Sequence, residues 1–208
     1  MTPVAILGTQ PLIIAAHPSF PGSTFADIVR MARAAPDTLA YSTSGIGGGG
    51  HLTAAWASSR AGIRLVHVPY LPSRALADVL SGEVPLAFSY PGTVLPLIRN
   101  GQLKGIAVTS LARLPAAPAI PTLAESGLAG FEVTDWQGLL APAGTPAGVV
   151  HRLHQAVQTV LAAPALQERL QSLGYGRSEL TPEQFAAMIR HDVARWKRVV
   201  ADAGLHFD

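Results

Sequence analysis

Residues 41–52 read YSTSGIGGGGHL, in which three hydroxyl residues precede a segment with glycine at five of six positions. Glycine accepts backbone conformations with positive φ and lets a ligand approach the main chain closely. Hydroxyl groups add hydrogen-bond donors that carry no charge. Bare amides and neutral hydroxyls together are typical of a site that holds a small anion, and glycines that only form a tight turn are the competing explanation.

Two nucleotide-binding interpretations of this segment fail on residues that they require. A Walker loop ends in Gly-Lys followed by Ser or Thr, whereas this segment ends in Gly50-His51. A dinucleotide fingerprint needs an acidic residue about 20 positions later, where this chain has a strand ending in His67-Val68-Pro69-Tyr70. Ser42, Thr43 and Ser44 end a predicted strand and are expected to point their hydroxyls at the mouth of the helix that follows. These hydroxyls favour a small carboxylate, held by neutral donors so that it can be released.

Residues suited to catalysis or metal binding are sparse. A G-x-S-x-G elbow is absent, and the lack of cysteine excludes disulfides, thiolate zinc sites and cysteine nucleophiles. His151 and His154 lie three apart on a predicted helix, but no carboxylate stands at helical spacing from them. His51 is interpreted as a locally bonded residue of a first helical turn, and His67 as a buried strand residue. We predict no enzymatic activity, no cofactor and no metal.

Composition narrows the class of protein further. The chain has 208 residues, of which 49% are hydrophobic and 13% charged, enough for a sizeable core in one or two domains. The net charge of +2 is too small for a nucleic-acid-binding surface, so no nucleic-acid partner is expected. No apolar run approaches the ~18 residues that span a bilayer. The first 18 residues lack a positive region and do not read as a signal peptide.

Short apolar runs alternate with amphipathic helical patterns over residues 11–130, which predicts an α/β lobe with a mainly parallel sheet. The carboxyl ends of parallel strands share one rim, where ligands bind. Residues 42–49, Tyr70 and Tyr90 all follow predicted strands and are expected on that rim. The predicted strands are Leu12–Ala16, Leu39–Ser44, Arg64–Tyr70, Pro85–Tyr90 and Leu103–Thr109. Ser23 or Thr24 is predicted to cap a helix that runs to about residue 35, and Thr122 with Glu125 has capping-box spacing for a short helix that ends near residue 127.

Residues 131–208 form the second predicted part, a crossing strand over 131–140 followed by helices. Thr145 is predicted to cap a helix that runs to about residue 163, and a second helix covers 165–173. Thr181, Pro182 and Gln184 predict a capping box for a third helix, which reaches about residue 203. Asp135-Trp136 has two open interpretations, a hinge or cleft wall and plain packing.

Several segments together resemble one known family, the tripartite tricarboxylate transporter receptors or Bug proteins. They are YSTSGIGGGGHL, VHVPY, FSYPGTVLPLIRNGQLKGIAVTS, PTLAESGLAGFEVTDWQGLLAPAGTP and TPEQFAAMIRHDVARWKRVVADAGL, in that order. The resemblance implies a periplasmic solute-binding protein with the two-lobed, type II periplasmic-binding fold. It implies capture of a small carboxylate and transfer to membrane permease subunits. The ligand-sensing domain of a regulatory or signalling system is the alternative, since such domains share the fold.

The resemblance also assigns binding residues. Two departures from the family pattern matter: Leu71-Pro72 stands where Lys-Gly is frequent, and Ser89 stands where Asp is frequent. Loss of that acidic residue argues against an amino-acid ligand, because an ammonium group would lose its partner. The assigned residues are Ser42, Thr43, Ser44, Gly45, Gly47, Gly48, Gly49, Tyr70 and Ser89.

The resemblance further implies that family members begin with a signal peptide and with the first β-α units of lobe one. The chain is therefore expected to be a fragment, a gene with a mis-called start or a truncated relative, with residues 131–208 belonging to an incomplete lobe one. The helices at 146–163 and 181–203 carry core-like faces, which predicts repacking or self-association. The predicted core-facing residues are Val149, Leu153, Val157, Val160 and Leu161 in the first helix and Phe185, Met188, Ile189, Val193 and Trp196 in the second. With half of the donors lacking, we expect a carboxylate dissociation constant in the millimolar range or no detectable binding.

Overall fold

The computed structural model describes residues 1–205, and the chain divides into two compact units. The sheet unit comprises residues 11–134 and 199–205, and the helical unit comprises residues 1–10 and 135–198. The sequence did not indicate that the first ten residues join the helical unit.

The described strands and helices follow one another along the chain with short connections. The strands are β1 (Thr2–Pro11), β2 (Ile13–Ala16), β3 (Ala40–Thr43), β4 (Val66–Pro69), β5 (Leu86–Ser89), β6 (Lys104–Val108) and β7 (Thr134–Ala141). The helices are α1 (Phe25–Ala34), α2 (Gly49–Ala61), α3 (Ala77–Ser81), α4 (Pro91–Arg99), α5 (Ala147–Leu161), α6 (Pro164–Ser172) and α7 (Pro182–Asp202), with a 3-10 turn at Pro72–Arg74.

The sheet unit is built on a five-stranded sheet of order β4-β3-β5-β2-β6. Strand β3 pairs in parallel with β4 and β5, whereas β2 pairs antiparallel with β5 and β6. Four strands therefore share one direction, as predicted, and β2 opposes them. Strand β2 follows β1 after a single residue, so no crossover helix constrains it to the parallel direction.

Both faces of this sheet are covered. Tyr41 of β3 and Phe88 of β5 share one face, where their rings meet edge-on with centroids 5.3 Å apart. Ile13 and Ala87 lie in a cluster on the other face, packed with Val94 of α4. Burial on two sides explains why β2 reads as an uninterrupted apolar run instead of an alternating one.

The predicted capping boxes are only partly realised as helices. Thr181 and Gln184 exchange the capping hydrogen bonds at the start of α7, as predicted. Thr122 and Glu125 exchange the same bonds, but the residues after them form turns and not the predicted helix. The prediction for Thr145 is wrong: its hydroxyl donates to the Pro142 carbonyl, and Pro146 occupies the N-cap of α5.

The helical unit pairs β1 with β7 and packs helices against them. Trp136 of β7 meets the fully buried Phe185 of α7 edge-on, with ring centroids 5.0 Å apart, and its indole N–H donates to Asp192. The predicted core-facing character of α5 and α7 holds for Leu161 and Phe185 but is wrong for other residues. Leu153, Val160 and Val193 are 40%, 60% and 50% exposed. Within residues 1–205, no helix has the length and apolarity needed to cross a bilayer.

Candidate functional site

The glycine segment lies at the carboxyl rim of the parallel strands. Ser42 pairs in register with Val68 of β4 and Ala87 of β5, so the ends of these three strands meet at one edge. The Tyr70 amide donates to the Thr43 carbonyl at 3.0 Å, which places Tyr70 beside the start of the segment. Helix α2 begins at Gly49, within the segment, and α4 begins at Pro91, with one residue between it and the end of β5. Two helix N-termini therefore begin at this rim.

The conformation of the loop, residues 44–48, depends on its glycines. Gly45 and Gly47 adopt φ values of 135° and 72°, which residues with a side chain rarely adopt. Gly50 allows α2 to pack closely on the sheet, because a Cβ at this position would lie only 3.0 Å from the Phe88 carbonyl oxygen. The amino end of a helix leaves backbone N–H groups without an intrahelical partner and carries a partial positive charge. Residues 38–59 contain no Lys, Arg, Asp or Glu, so the loop itself adds no formal charge.

The hydroxyls of Ser42 and Thr43 serve the fold around the loop. Both residues are buried, and because neighbouring strand residues face opposite ways, their side chains leave opposite faces of the sheet. The Ser42 hydroxyl donates to the Ala75 carbonyl at 2.7 Å, and the Thr43 hydroxyl donates to the Gly45 carbonyl at 3.1 Å. The expectation that residues 42–44 point their hydroxyls at one helix mouth is therefore wrong for Ser42.

Ser44, Tyr70 and Ser89 are the predicted site residues with accessible side chains. Ser44 is exposed, Ser89 is half-buried, and within the described part of the chain neither hydroxyl bonds another protein group. The half-buried Tyr70 donates its hydroxyl to the Asp78 carboxylate of α3, and this bond raises the pKa of the phenol. Asp78 lies near the rim and was not among the residues predicted from the sequence.

A stacked pair of imidazoles lies under the loop. His51, in the first turn of α2, stacks on His67 of β4 with ring centroids 3.9 Å apart and planes at 10°. Tyr41 of β3 stacks on His67 at 5.1 Å and 27°. The Gly47 amide donates to His51 Nδ1 at 3.1 Å, and His67 Nε2 lies 2.6 Å from the Thr43 hydroxyl oxygen. His51 is thus locally bonded, as predicted, and His67 is half-buried with a polar partner.

Burial keeps both imidazoles neutral at physiological pH. It lowers the pKa of His51, and it lowers the pKa of His67 to about 4, with a further contribution from the nearby His51. Burial also raises the pKa of Tyr41. The two histidines were interpreted separately from the sequence, and Tyr41 was missed. The spacing of four residues between Gly47 and His51 is the one signal that could have linked the loop to the stack.

His151 and His154, two histidines of the helical unit, are held by other protein groups. His154 bonds the Val4 carbonyl through Nδ1, and His151 bonds Gln155. Among residues 1–205, no group of three or more His, Cys, Asp or Glu side chains is placed to hold a metal ion. The two histidines line a cavity of about 500 Å³ together with Glu183, near the starts of α5 and α7.

The family model described as TctC, the tripartite tricarboxylate transporter family receptor, matches residues 1–205. The chain belongs to this family. This confirms the resemblance drawn from the sequence, and the match covers both units. The family consists of receptors and not of enzymes, so the prediction that the chain is not an enzyme is confirmed as well.

Curated relatives match nearly the whole chain. The UPF0065 protein in the tcbD-tcbE intergenic region of a Pseudomonas species is 34% identical over 209 residues, covering 98% of this chain and 61% of the relative. Protein BugT of Bordetella pertussis is 28% identical and covers 98% of this chain and 63% of its own length. The chain thus spans about three fifths of the length of the curated relatives it matches.

Solved structures of periplasmic binding proteins share the fold. The R. palustris Rpa4515 structure with adipate has a TM-score of 0.89 and 30% identity, covering 98% of this chain and 68% of that one. The structure of periplasmic binding protein BugD has a TM-score of 0.87 and 33% identity, covering 99% and 70%. MatC from Rhodopseudomonas palustris with bound malate has a TM-score of 0.85 and 28% identity, covering 96% and 69%. The predicted type II periplasmic-binding-protein-like fold is confirmed.

Proposed function

We propose that the chain is a periplasmic receptor that binds a small carboxylate at the rim formed by the glycine loop, Tyr70 and Ser89. The observation that carries the proposal is a loop without formal charge that opens directly into the amino end of α2. Backbone amides and the helix dipole attract a carboxylate, and the absence of a lysine or arginine in the loop permits its release. Adipate and malate, bound in two similar structures, support a dicarboxylate ligand.

The roles of the nine predicted residues divide by accessibility. Gly45, Gly48 and Gly49 supply backbone donors, and Ser44 and Ser89 supply free hydroxyls. Gly47 shapes the turn that exposes these donors, since its own amide donates to His51. Tyr70 contributes the wall of the site, since its hydroxyl already donates to Asp78. Ser42 and Thr43 act from beneath, through the bonds that fix the strand end and the loop.

A ligand screen with matched variants tests the binding role. Calorimetry with adipate, malate, aspartate and ATP, each titrated into the millimolar range because the sequence predicts weak binding, should favour the dicarboxylates over aspartate. Ser44→Ala and Ser89→Ala should each weaken dicarboxylate binding by a few fold, since a hydrogen bond open to water contributes about 0.5–1.5 kcal/mol. Ser59→Ala, on an exposed position near the end of α2, is the control and should bind like the parent chain. Binding of ATP alone would contradict the proposal.

We further propose that the bound carboxylate passes to membrane permease subunits of a tripartite transporter. The description of the family as transporter receptors supports this partnership. Co-purification from the native cell envelope, followed by identification of the captured membrane proteins, tests it. Recovery of a sensor kinase in place of a permease would favour a signalling role.

Self-association is proposed for the helical unit. Leu153 and Val160 of α5 and Val193 of α7 expose 40–60% of their surface, and covering them in a dimer would remove apolar area from water. Analytical ultracentrifugation is expected to show a concentration-dependent dimer. The Val160→Lys variant should sediment as a monomer, whereas a monomeric parent chain at all concentrations would exclude this contact.

A further inference from the structure

We propose that the stacked His51–His67 pair is a proton-sensitive clamp that holds the glycine loop in its anion-binding conformation. This inference deepens the carboxylate-binding role and rests on it for its functional consequence. Its structural part can be tested without any ligand.

Each imidazole is connected to the loop. His51 contacts it directly, because Nδ1 accepts the Gly47 amide at 3.1 Å. His67 contacts it through Thr43, whose hydroxyl lies 2.6 Å from His67 Nε2 and donates to the Gly45 carbonyl at 3.1 Å. Gly45 and Gly47, the two glycines of the loop with positive φ, are therefore the two loop residues that the histidines fix.

The hydrogen-bond directions define which ring nitrogen carries the proton. A hydroxyl has one hydrogen, so Thr43 can donate to Gly45 only if His67 Nε2–H donates to Thr43. His51 Nδ1 must be unprotonated to accept the Gly47 amide, and its hydrogen therefore sits on Nε2. A proton added to His51 arrives at Nδ1, the atom that accepts the loop amide, and converts it from an acceptor into a donor. Protonation of His51 and the Gly47 bond are mutually exclusive.

The groups that face the pair disfavour a positive charge. His67 of β4 covers one face of His51 at 3.9 Å, and Tyr41 of β3 lies against His67 at 5.1 Å. Among the described residues, the Gly47 amide from the loop and the Thr43 hydroxyl from β3 approach the ring edges, and neither carries a charge. Burial lowers the pKa of both imidazoles, and a charge on one ring would repel a charge on the other. The clamped loop is thus the neutral state of the pair.

Acidification should release the loop. In an open loop the imidazoles contact water and titrate near the ordinary pKa of about 6.5, whereas in the clamped loop His67 titrates at about 4. By linkage, the open state binds more protons between these values and becomes more populated as pH falls from 6.5 towards 4. Opening scatters the loop amides and weakens carboxylate binding. A new imidazolium would attract the anion and oppose this effect. The direction in which carboxylate affinity changes with pH therefore shows which of the two effects is larger.

Amide hydrogen exchange of the ligand-free 208-residue chain tests the clamp. Protection factors for the loop glycines, corrected for intrinsic exchange rates, are measured by NMR at pH 7 and pH 5. The Gly47 protection factor is expected to fall about tenfold or more in the parent chain. His51→Asn places a non-titrating oxygen near the Nδ1 position and should make the protection factor less dependent on pH. His51→Leu removes the acceptor and should lower protection already at pH 7. His191→Asn, at a residue with a side chain 75% exposed, is the control and should behave like the parent chain.

Calorimetry with malate at pH 7 separates this inference from the binding role. His51→Leu should weaken malate binding several-fold relative to His51→Asn. Malate binding with a Gly47 protection factor that does not change between pH 7 and pH 5 would overturn the clamp and leave the binding role intact. A clamp that opens with pH in a chain that binds no carboxylate would support the structural inference and remove the proposed function. Retention of the parent pH dependence in His51→Asn and His67→Gln would also overturn the clamp.

Discussion

Thr43 shows how a residue next to a site acts through hydrogen bonds that never reach the ligand. Its hydroxyl joins β3 to the loop and to β4, since it bonds Gly45 and His67 together. The side chain is 2% exposed, so water cannot replace these bonds without local opening. The residue type that suggested ligand binding in the sequence instead holds the loop in place.

Replacing Thr43 with valine should therefore destabilise the chain. Valine has nearly the same volume but leaves the Gly45 carbonyl and the His67 N–H without a partner, which costs about 1–3 kcal/mol. Thr43→Ser keeps the hydroxyl, loses one buried methyl group and should cost about 1 kcal/mol or less. Urea unfolding of both variants measures the difference. Equal destabilisation by valine and serine would show that the methyl group, and not the hydroxyl, matters at this position.

At the scale of elements, the start of α2 depends on close contact with β5. Gly50 is buried, and a Cβ there would also lie 3.3 Å from Thr43 Cβ on β3. Gly48, the N-cap residue, has φ −73°, and a Cβ added to it would meet only the Gly45 carbonyl oxygen within 4 Å, at 3.8 Å. Gly48 and Gly50 are therefore only two residues apart but differ in how closely other atoms pack against them.

The alanine variants of these two glycines should differ accordingly. Gly50→Ala is expected to push α2 away from the sheet and cost about 1–3 kcal/mol, because the contact at 3.0 Å is with backbone. Gly48→Ala should change stability by about 0.5 kcal/mol or less, since the conformation suits any residue. Thermal and urea unfolding compare them. A Gly50→Ala chain as stable as Gly48→Ala would mean that α2 moves freely on the sheet.

The elements that the sequence predicted share a local signal. Residues 25–34 show helical spacing after Thr24, and the structure places α1 there with both bonds of a Thr24 capping box present. Strand β1 was missed because its partner β7 lies about 130 residues away, and a pairing at that distance leaves no local pattern. The helix after Thr122 was predicted wrongly because a capping box and a turn share the same two hydrogen bonds.

The candidate site also contains features that the sequence predicted and features that it did not. The rim position of Tyr70 and Tyr90 was predictable, since parallel strands end at one edge, whereas Ser89 was assigned through the resemblance alone. Strand alternation would have predicted the orientation of Ser42 correctly. The run of three hydroxyl residues instead suggested that all three point the same way. The stacking of His51 on His67 could not be read from the sequence, because it depends on where α2 crosses the strands.

For the molecule as a whole, acid should weaken the fold in two separate ranges. The pKa values of Asp27, Glu125 and Glu183 are lowered by hydrogen bonds, so these groups stabilise the fold above their ordinary pKa of about 4 and lose that effect below it. His67 acts earlier. Its pKa is about 4 in the fold and about 6.5 when unfolded, so the unfolded chain takes up a proton first. Stability is therefore complete above pH 6.5 and decreases as pH falls towards 4.

The variant His67→Gln should remove the loss of stability between pH 6.5 and pH 4 that His67 causes, and should keep the loss below about pH 4 that the carboxylates cause. Glutamine can donate to Thr43 from a position near Nε2 but does not titrate. Between pH 7.5 and pH 5, the free energy of unfolding of the parent chain should decrease by about 1–2 kcal/mol from this residue, with partial exposure reducing the full linkage value. Urea titrations at the two pH values should show a smaller decrease in His67→Gln and an unchanged decrease in the exposed control His191→Asn. The same decrease in all three chains would mean that His67 is already open to water in the folded protein.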